Sequence, residues 1–329
     1  MRVCFLDPLE GRIREFPSEH LAIHDISHAN GEPAAVPDDT EALITWSELL
    51  DEALVNRLPR LKLVQRIGYF RGADLQPARA AGAQVAVWPK GVSNRVAMHA
   101  MSFMLALSRQ LLSSHRAMVA GENEAGFEPA ITDNRAAAMN WPMIRDVDTP
   151  SNKTLGIIGF GEIGACFARQ AHAYDMDIVY FKRSRMSAQR ERFFGVRYAS
   201  LDELLRQSDY VASFVPYSPE SDRMLGAGEI GLMKSSAYFI NAGRGNTVDE
   251  PALIEALRSR AIRGAGLDVY SIEPVPAGHP VLTLDNVIYT PHNAGGIGGW
   301  QDVFIRIARN LDLVAAGQEP VSWDIPPVE

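Results

Sequence analysis

An arginine, a glutamate and a histidine each follow an apolar, strand-like run in the last third of the chain. Arg244 lies in Asn241-Ala242-Gly243-Arg244-Gly245, after Ala237–Asn241. Glu273 lies in Asp268-Val269-Tyr270-Ser271-Ile272-Glu273-Pro274, after Gly264–Val269. His292 lies in Thr290-Pro291-His292-Asn293-Ala294-Gly295, after Val287–Thr290. Open parallel sheets bind ligands beyond the carboxyl ends of their strands, so the three side chains would converge there. Such a set suits hydride transfer to a 2-oxo acid. A guanidinium grips a carboxylate at two points and polarises the adjacent carbonyl. An imidazolium gives its proton to the carbonyl oxygen as hydride reaches carbon. A carboxylate beside the imidazole favours its charged form and orients it. Singly, each residue type is commoner as a surface or hydrogen-bonding group, and Glu273, before Pro274, also fits a loop cap.

The hydride calls for a dinucleotide, and the chain offers a place for one. The apolar run Thr154–Ile158 leads into Gly159-Phe160-Gly161-Glu162-Ile163-Gly164, and a helical pattern follows with Ile163, Phe167, Ala168 and Ala171 on one face. Strand, three glycines and helix make a pyrophosphate-binding turn. Gly159 allows the tight turn, Gly161 a close backbone approach to phosphate, and Gly164 close helix–strand packing. The helix N-terminus aims free N–H groups and partial positive charge at the anion.

The elements that must position these residues alternate between strand and helix. Strands are expected at Arg2–Leu6, Ala42–Thr45, Lys62–Ile67 and Gln84–Trp88, with helices at Ser47–Asn56 and Leu75–Ala81. A long helix from about Arg95 to Leu112 carries His99. A loop-rich bridge, roughly Glu122 to Asn152, follows. A second set runs Thr154–Ile158, Asp177–Phe181, Tyr210–Val215, Ala237–Asn241, Gly264–Val269 and Val287–Thr290. Ser200-Leu201-Asp202-Glu203 fits a capping box, and Asp249 before Glu250-Pro251 fits a helix N-cap. A last helix, about Gly299 to Ala316, is expected to pack back on the first unit. The fold class is therefore α/β, with two Rossmann-like doubly wound parallel-sheet domains. Residues 1–100 plus 296–329 would form a discontinuous substrate domain, and residues 101–295 the dinucleotide domain.

At 329 residues, with 47% hydrophobic residues, the chain has ample core for two domains. Its net charge of −8 argues against nucleic acid as a partner. Two distant cysteines, Cys4 and Cys166, fit reduced thiols in a cytoplasmic protein. The N-terminal residues read as a strand with no signal peptide, and no apolar run approaches the ~18 residues of a membrane span. No metal is expected.

Taken together, Thr154–Gly164, Val215-Pro216, Asn241-Ala242-Gly243-Arg244-Gly245, Val248-Asp249-Glu250, Gly266-Leu267-Asp268-Val269 and Thr290-Pro291-His292 resemble the D-isomer-specific 2-hydroxyacid dehydrogenases. The resemblance covers nearly the whole chain and is strongest from Thr154 to Gly296. It implies catalytic roles for Arg244, Glu273 and His292. It implies that Asp268 contacts the nicotinamide carboxamide, and that Val215, Pro216, Ala242, Gly243 and Gly295 border the cofactor. It also implies a homodimer.

An NAD-binding unit places an acid at the end of its second strand to hold the ribose 2′-hydroxyl. Here that strand ends Phe181-Lys182-Arg183-Ser184-Arg185, with cations and no acid. A 2′-phosphate needs such charge and hydroxyl donors. NADP is therefore expected, with Arg183 and Ser184 as main contacts and Lys182 or Arg185 assisting; NAD remains possible. In this stretch the chain resembles the glyoxylate and hydroxypyruvate reductases of the family. Two departures bear on the pocket. Tyr69-Phe70-Arg71 replaces a glycine-rich loop and would shape the pocket, even for a bulkier acid such as phenylpyruvate; Trp300 would add a wall. Met98 stands where the family commonly has Glu. A dinucleotide-sensing, corepressor-like binding protein is the alternative from another class.

Overall fold

Two parallel sheets organise the chain in a computed structural model that describes residues 1–8, 16–17, 23–46, 50–68, 75–131, 138–296 and 301–323. The first part runs β1 (Arg2–Phe5), β2 (Asp25–His28), β3 (Ala42–Thr45), α1 (Glu52–Asn56), β4 (Leu63–Ile67), α2 (Gln76–Ala80) and β5 (Gln84–Trp88). Its five strands are ordered β2-β1-β3-β4-β5. Then come α3 (Gly91–Ser108) and α4 (Leu111–Ala120). The described residues between 121 and 152 form neither helix nor strand.

The second part runs β6 (Thr154–Ile158), α5 (Glu162–Ala171), β7 (Asp177–Phe181), α6 (Ala188–Phe194), β8 (Arg197–Tyr198), α7 (Leu201–Gln207) and β9 (Tyr210–Ser213). It continues with α8 (Ala227–Ile230), β10 (Tyr238–Asn241), α9 (Glu250–Arg258), β11 (Gly264–Leu267), β12 (Val287–Tyr289) and α10 (Gln301–Ala315). Its seven strands are ordered β12-β11-β10-β9-β6-β7-β8. The chain steps outward through β7 and β8, then returns to β9 on the other side of β6. That reversal opens a crevice beyond Ile158 and Ser213, which are register partners.

Local chemistry fixes several of these elements. Ser200 and Glu203 close the expected capping box at α7, and Asp249 accepts from Ala252 N at 3.1 Å to start α9. The helix expected from Arg95 to Leu112 is broken. Gln110 takes a left-handed φ of 49°, so α3 ends at Ser108 and α4 starts afresh. The edge strands β2 and β8 went unpredicted. Asp25-Ile26-Ser27-His28 is partly exposed with β1 as its one partner, and β8 has only two residues.

α10 buries Phe304, Ile307 and Leu311 among Val3, Phe5, Ile44 and Leu63 of the first sheet. Each such side chain contributes about 1.5–3 kcal/mol, which fastens the end of the chain to its beginning. α3 lies on the second sheet. A Cβ on Gly266 of β11 would meet the Phe103 ring at 2.6 Å, so helix and strand touch without room for a methyl group.

Candidate active site

The glycine turn fills the crevice between β6 and β9. Gly159 has φ +87°, and a Cβ there would meet the Phe214 and Val215 backbone at 3.0 Å. A Cβ on Gly164 would meet the Gly159 oxygen at 3.0 Å, so α5 presses directly on the turn. Gly161 differs, because a Cβ there would meet nothing within 4 Å among the described residues beyond its chain neighbours. The space over the α5 N-terminus is bordered by the first-turn N–H groups, which a helix cannot pair within itself, and this fits a pyrophosphate. Phe160 is buried against Tyr180 and Phe194, so it offers the crevice only its backbone. The Glu162 carboxylate accepts the Lys90 N–H from the other sheet's connection. Ile163 is half-buried beside it.

Val215 and Pro216 line the opposite wall, half-buried and exposed. Ala242 is buried, and a Cβ on Gly243 would meet the Val215 N at 2.9 Å. At the end of β7, Lys182 is half-buried, while Arg183 and Ser184 are exposed. Burial, and then the nearby Arg190 charge, lower the Lys182 pKa. Arg185 is taken elsewhere: it forms a two-point ion pair with Glu191 at 2.8 Å from both nitrogens. It is therefore not placed to assist at a 2′-phosphate.

The structure brings Glu273 and His292 into contact, with His292 Nδ1 2.6 Å from Glu273 Oε2. Glu273 Oε1 accepts the Tyr270 N–H at 2.9 Å, so Glu273 both caps its loop and holds the imidazole. Burial pushes the Glu273 carboxyl up. The bonds from His292 and Tyr270 and the charges of His292 and Arg244 outweigh that and leave it below the ordinary range. With Nδ1 bound to the carboxylate, Nε2 is left to face a substrate. Arg244 is exposed, and its carbonyl is tied by Asn241 Nδ2 (3.3 Å) and Thr247 Oγ1 (2.7 Å). A Cβ on the next residue, Gly245, would fall 1.9 Å from the Tyr270 carbonyl. The loops carrying Arg244 and Glu273 thus lie backbone against backbone.

Behind these residues sits a layer of hydrogen bonds that the sequence did not reveal, although it singled out Asp268 and His99. Buried Asp268 accepts from Thr290 Oγ1 (2.6 Å), Asn293 N (2.9 Å) and Ala294 N (3.0 Å). Its carbonyl accepts the His292 N–H at 2.8 Å. Its carboxylate thus serves the 290–294 loop first, leaving one oxygen with a single donor. His99 Nε2 lies 2.9 Å from Thr290 Oγ1, which already donates to Asp268, so the imidazole donates there. Glu250 accepts from Ser271 N (3.0 Å) and Oγ (2.8 Å) and so holds the Glu273 loop from below. Tyr270 bonds the Leu267 and Thr290 carbonyls, and burial, with the Asp268 charge next, pushes its pKa up to about 12. A signal was available: Leu267 and Tyr289 are register partners, and Asp268 and Thr290 are the next residues on each strand.

Gly295 accepts from Arg95 Nε through its carbonyl at 2.8 Å, which joins the 290–296 loop to α3. Tyr69, Phe70, Arg71 and Trp300, expected to shape a substrate pocket, lie outside the described residues.

A parallel seven-stranded dinucleotide fold with a cation, a carboxylate and an imidazole at its strand ends defines a class of nicotinamide-dependent oxidoreductases. Residues 101–294 match the D-isomer specific 2-hydroxyacid dehydrogenase family, NAD binding domain. The chain is 36% identical over 282 residues to glyoxylate/hydroxypyruvate reductase B of Escherichia fergusonii, covering 83% of this chain and 82% of that one. It is 35% identical over 292 residues to the enzyme of the same name from an Enterobacter species, covering 87% and 84%. Among solved structures it is similar to a glyoxylate reductase from Paecilomyes thermophila, at 25% identity, TM-score 0.55, and 98% and 97% coverage. It shares the fold of Rhodotorula graminis D-mandelate dehydrogenase, at 24% identity, TM-score 0.58, and 100% and 99% coverage. The chain belongs to the D-isomer specific 2-hydroxyacid dehydrogenase family. It is an NAD(P)-dependent enzyme acting on small 2-oxo and 2-hydroxy acids. No helix among the described residues is long and apolar enough to cross a membrane.

Proposed function

We propose that the protein is an NADPH-preferring reductase of glyoxylate or hydroxypyruvate that yields a D-2-hydroxy acid. The observation that carries this is the His292–Glu273 contact of 2.6 Å at the ends of the strands. Arg244 binds the substrate carboxylate and polarises the 2-oxo group. His292 Nε2 delivers a proton to the 2-oxo oxygen. Glu273, anionic and held by the Tyr270 N–H, keeps the imidazole oriented. A nicotinamide held beside these residues would supply the hydride.

The α5 N-terminus at Gly161 and the Gly243 and Val215 wall would hold the dinucleotide. Arg183 and Ser184 would meet the 2′-phosphate. Both are exposed at the end of β7, and the Arg183 charge reaches the Glu220 carboxyl, itself lowered chiefly by a bond from Ser218. Residues 1–100 with 296–329 would form the substrate domain, and residues 101–295 the cofactor domain. The enzyme would be cytoplasmic and homodimeric. The apolar face of α4 (Leu111, Met118, Val119) and the arm after it (Phe127, Ile131) call for cover by a second copy.

The test is the initial rate of NADPH oxidation with glyoxylate, hydroxypyruvate, pyruvate and phenylpyruvate, with NADH in parallel. Turnover of glyoxylate or hydroxypyruvate, faster with NADPH, is the expected result. Cofactor binding without turnover of any of the four acids would overturn it.

A further inference from the structure

A cavity of ≈ 350 Å³ opens along the seam between the two sheets, and Arg244, Glu273 and His292 do not line it. Its walls are Trp88 at the end of β5, Asn94 on α3, Arg169 and Gln170 on α5, Arg306 on α10, and Trp323. Arg169 is eight residues from Gly161, about 12 Å along the helix, so the cavity lies at the other end of α5 from the pyrophosphate turn.

Two cations in this cavity form no ion pair with a described residue. The Arg169 guanidinium sits 4.5 Å over the Trp323 ring, and that of Arg306 sits 4.3 Å over the Trp88 ring. Neither makes a hydrogen bond or an ion pair with any described residue. Asp302 also borders the space, and Arg95 Nη1 holds one of its carboxylate oxygens at 3.3 Å. Two guanidiniums that share one concave space make a local anion-attracting field.

The rings beneath them are fixed. Trp88 Nε1 donates to the Val321 carbonyl at 2.8 Å, and Trp323 N donates to the Val87 carbonyl at 2.9 Å. Asn310 brackets Val321 with two bonds of 2.9 Å. The rings lie 6.5 Å apart. Guanidiniums stacked on anchored rings lose little freedom when a ligand arrives, which lowers the cost of binding.

We propose that this cavity is a second ligand site, for a small organic dianion such as a dicarboxylate or a phosphate monoester. Its acidic groups meet Arg169 and Arg306, and its carbon body lies on Trp88 and Trp323. Trp88 and Arg306 belong to the unit built on the first sheet, while Arg169 and Gln170 belong to the second. An occupant that touches both favours one arrangement of the two units, and so acts on the cleft between them by linkage.

Calorimetric titration of the cofactor-free protein at fixed ionic strength tests this, with succinate and glycerol 3-phosphate as separate probes. At least one probe binds saturably. Arg169→Gln and Arg306→Gln, both at exposed positions, each weaken it at least tenfold with unchanged melting temperature, and His292→Ala leaves it unchanged. The probe that binds tells a dicarboxylate site from a phosphate ester site. No saturable heat with either probe, binding that survives both arginine changes, or binding lost in His292→Ala would overturn the proposal. Binding is read without turnover, so the result stands whether or not the chain reduces a 2-oxo acid.

Discussion

Asp268, 1% exposed, accepts a hydrogen bond of 2.6 Å from Thr290 across the ends of two neighbouring strands. Its carboxylate also takes two N–H groups of the loop that follows, and its carbonyl takes the His292 N–H. His292 itself has a left-handed φ of 51°. Its imidazole is therefore aimed by a buried acid it does not touch with its ring.

Asp268→Asn replaces an oxygen with an NH2 group facing donors. At least one buried donor then loses its acceptor, at a cost of about 1–3 kcal/mol. Turnover should fall ten- to a hundredfold, on the order expected for a reacting group displaced by a fraction of an ångström. Steady-state kinetics beside thermal melts check this. Unchanged turnover would show that His292 needs no such support.

Gly245 and Gly161 make a matched pair. A Cβ on Gly245 would sit 1.9 Å from the Tyr270 carbonyl, whereas one on Gly161 would meet no atom of the described residues beyond its chain neighbours within 4 Å. Gly245→Ala should push apart the Arg244 and Glu273 loops and cost turnover on the order of a hundredfold, as a 1 Å misplacement does. Gly161→Ala should leave the melting temperature alone but weaken dinucleotide binding. Fluorescence titration with NADPH separates the two cases.

Arg183→Ala should lower kcat/KM for NADPH by about ten- to a hundredfold, the worth of one charge-assisted hydrogen bond. NADH should be nearly unaffected. Equal losses with both would remove the reason for preferring NADP. Arg185→Ala should not discriminate between the cofactors, because its guanidinium is held by Glu191.

The Glu273 carboxyl lies below the ordinary range, so it is anionic at neutral pH and holds the His292 imidazole as a carboxylate. Glu273→Gln removes that charge. Turnover of the native enzyme should decline only as pH falls through the lowered Glu273 carboxyl, and in Glu273→Gln, slower throughout, that acid-side decline should disappear. A pH–rate profile reads this directly, and an unmoved acid limb would mean that Glu273 only caps its loop.

Much of this was legible in the sequence because it depends on local order. β6, β7, β3 and β5 fall where their apolar runs place them, since a buried parallel strand needs an unbroken run. Arg244, Glu273 and His292 could be named because a ligand of a parallel sheet meets the residues just past its strands. What escaped was set by tertiary context. The break at Gln110 follows from a left-handed residue with no glycine to mark it. β2 carries polar residues because it is an edge. The Asp268–Thr290–His99 chain joins three segments distant in sequence, and no single window of sequence contains it.

The central claim is that His292 supplies the proton, and His292→Ala tests it most directly. NADPH oxidation with glyoxylate and hydroxypyruvate is to be followed for both forms, alongside NADPH binding. The account predicts a loss of about a hundred- to ten-thousandfold in kcat with cofactor affinity unchanged. Near-normal turnover in the variant would contradict it and place the proton donor elsewhere.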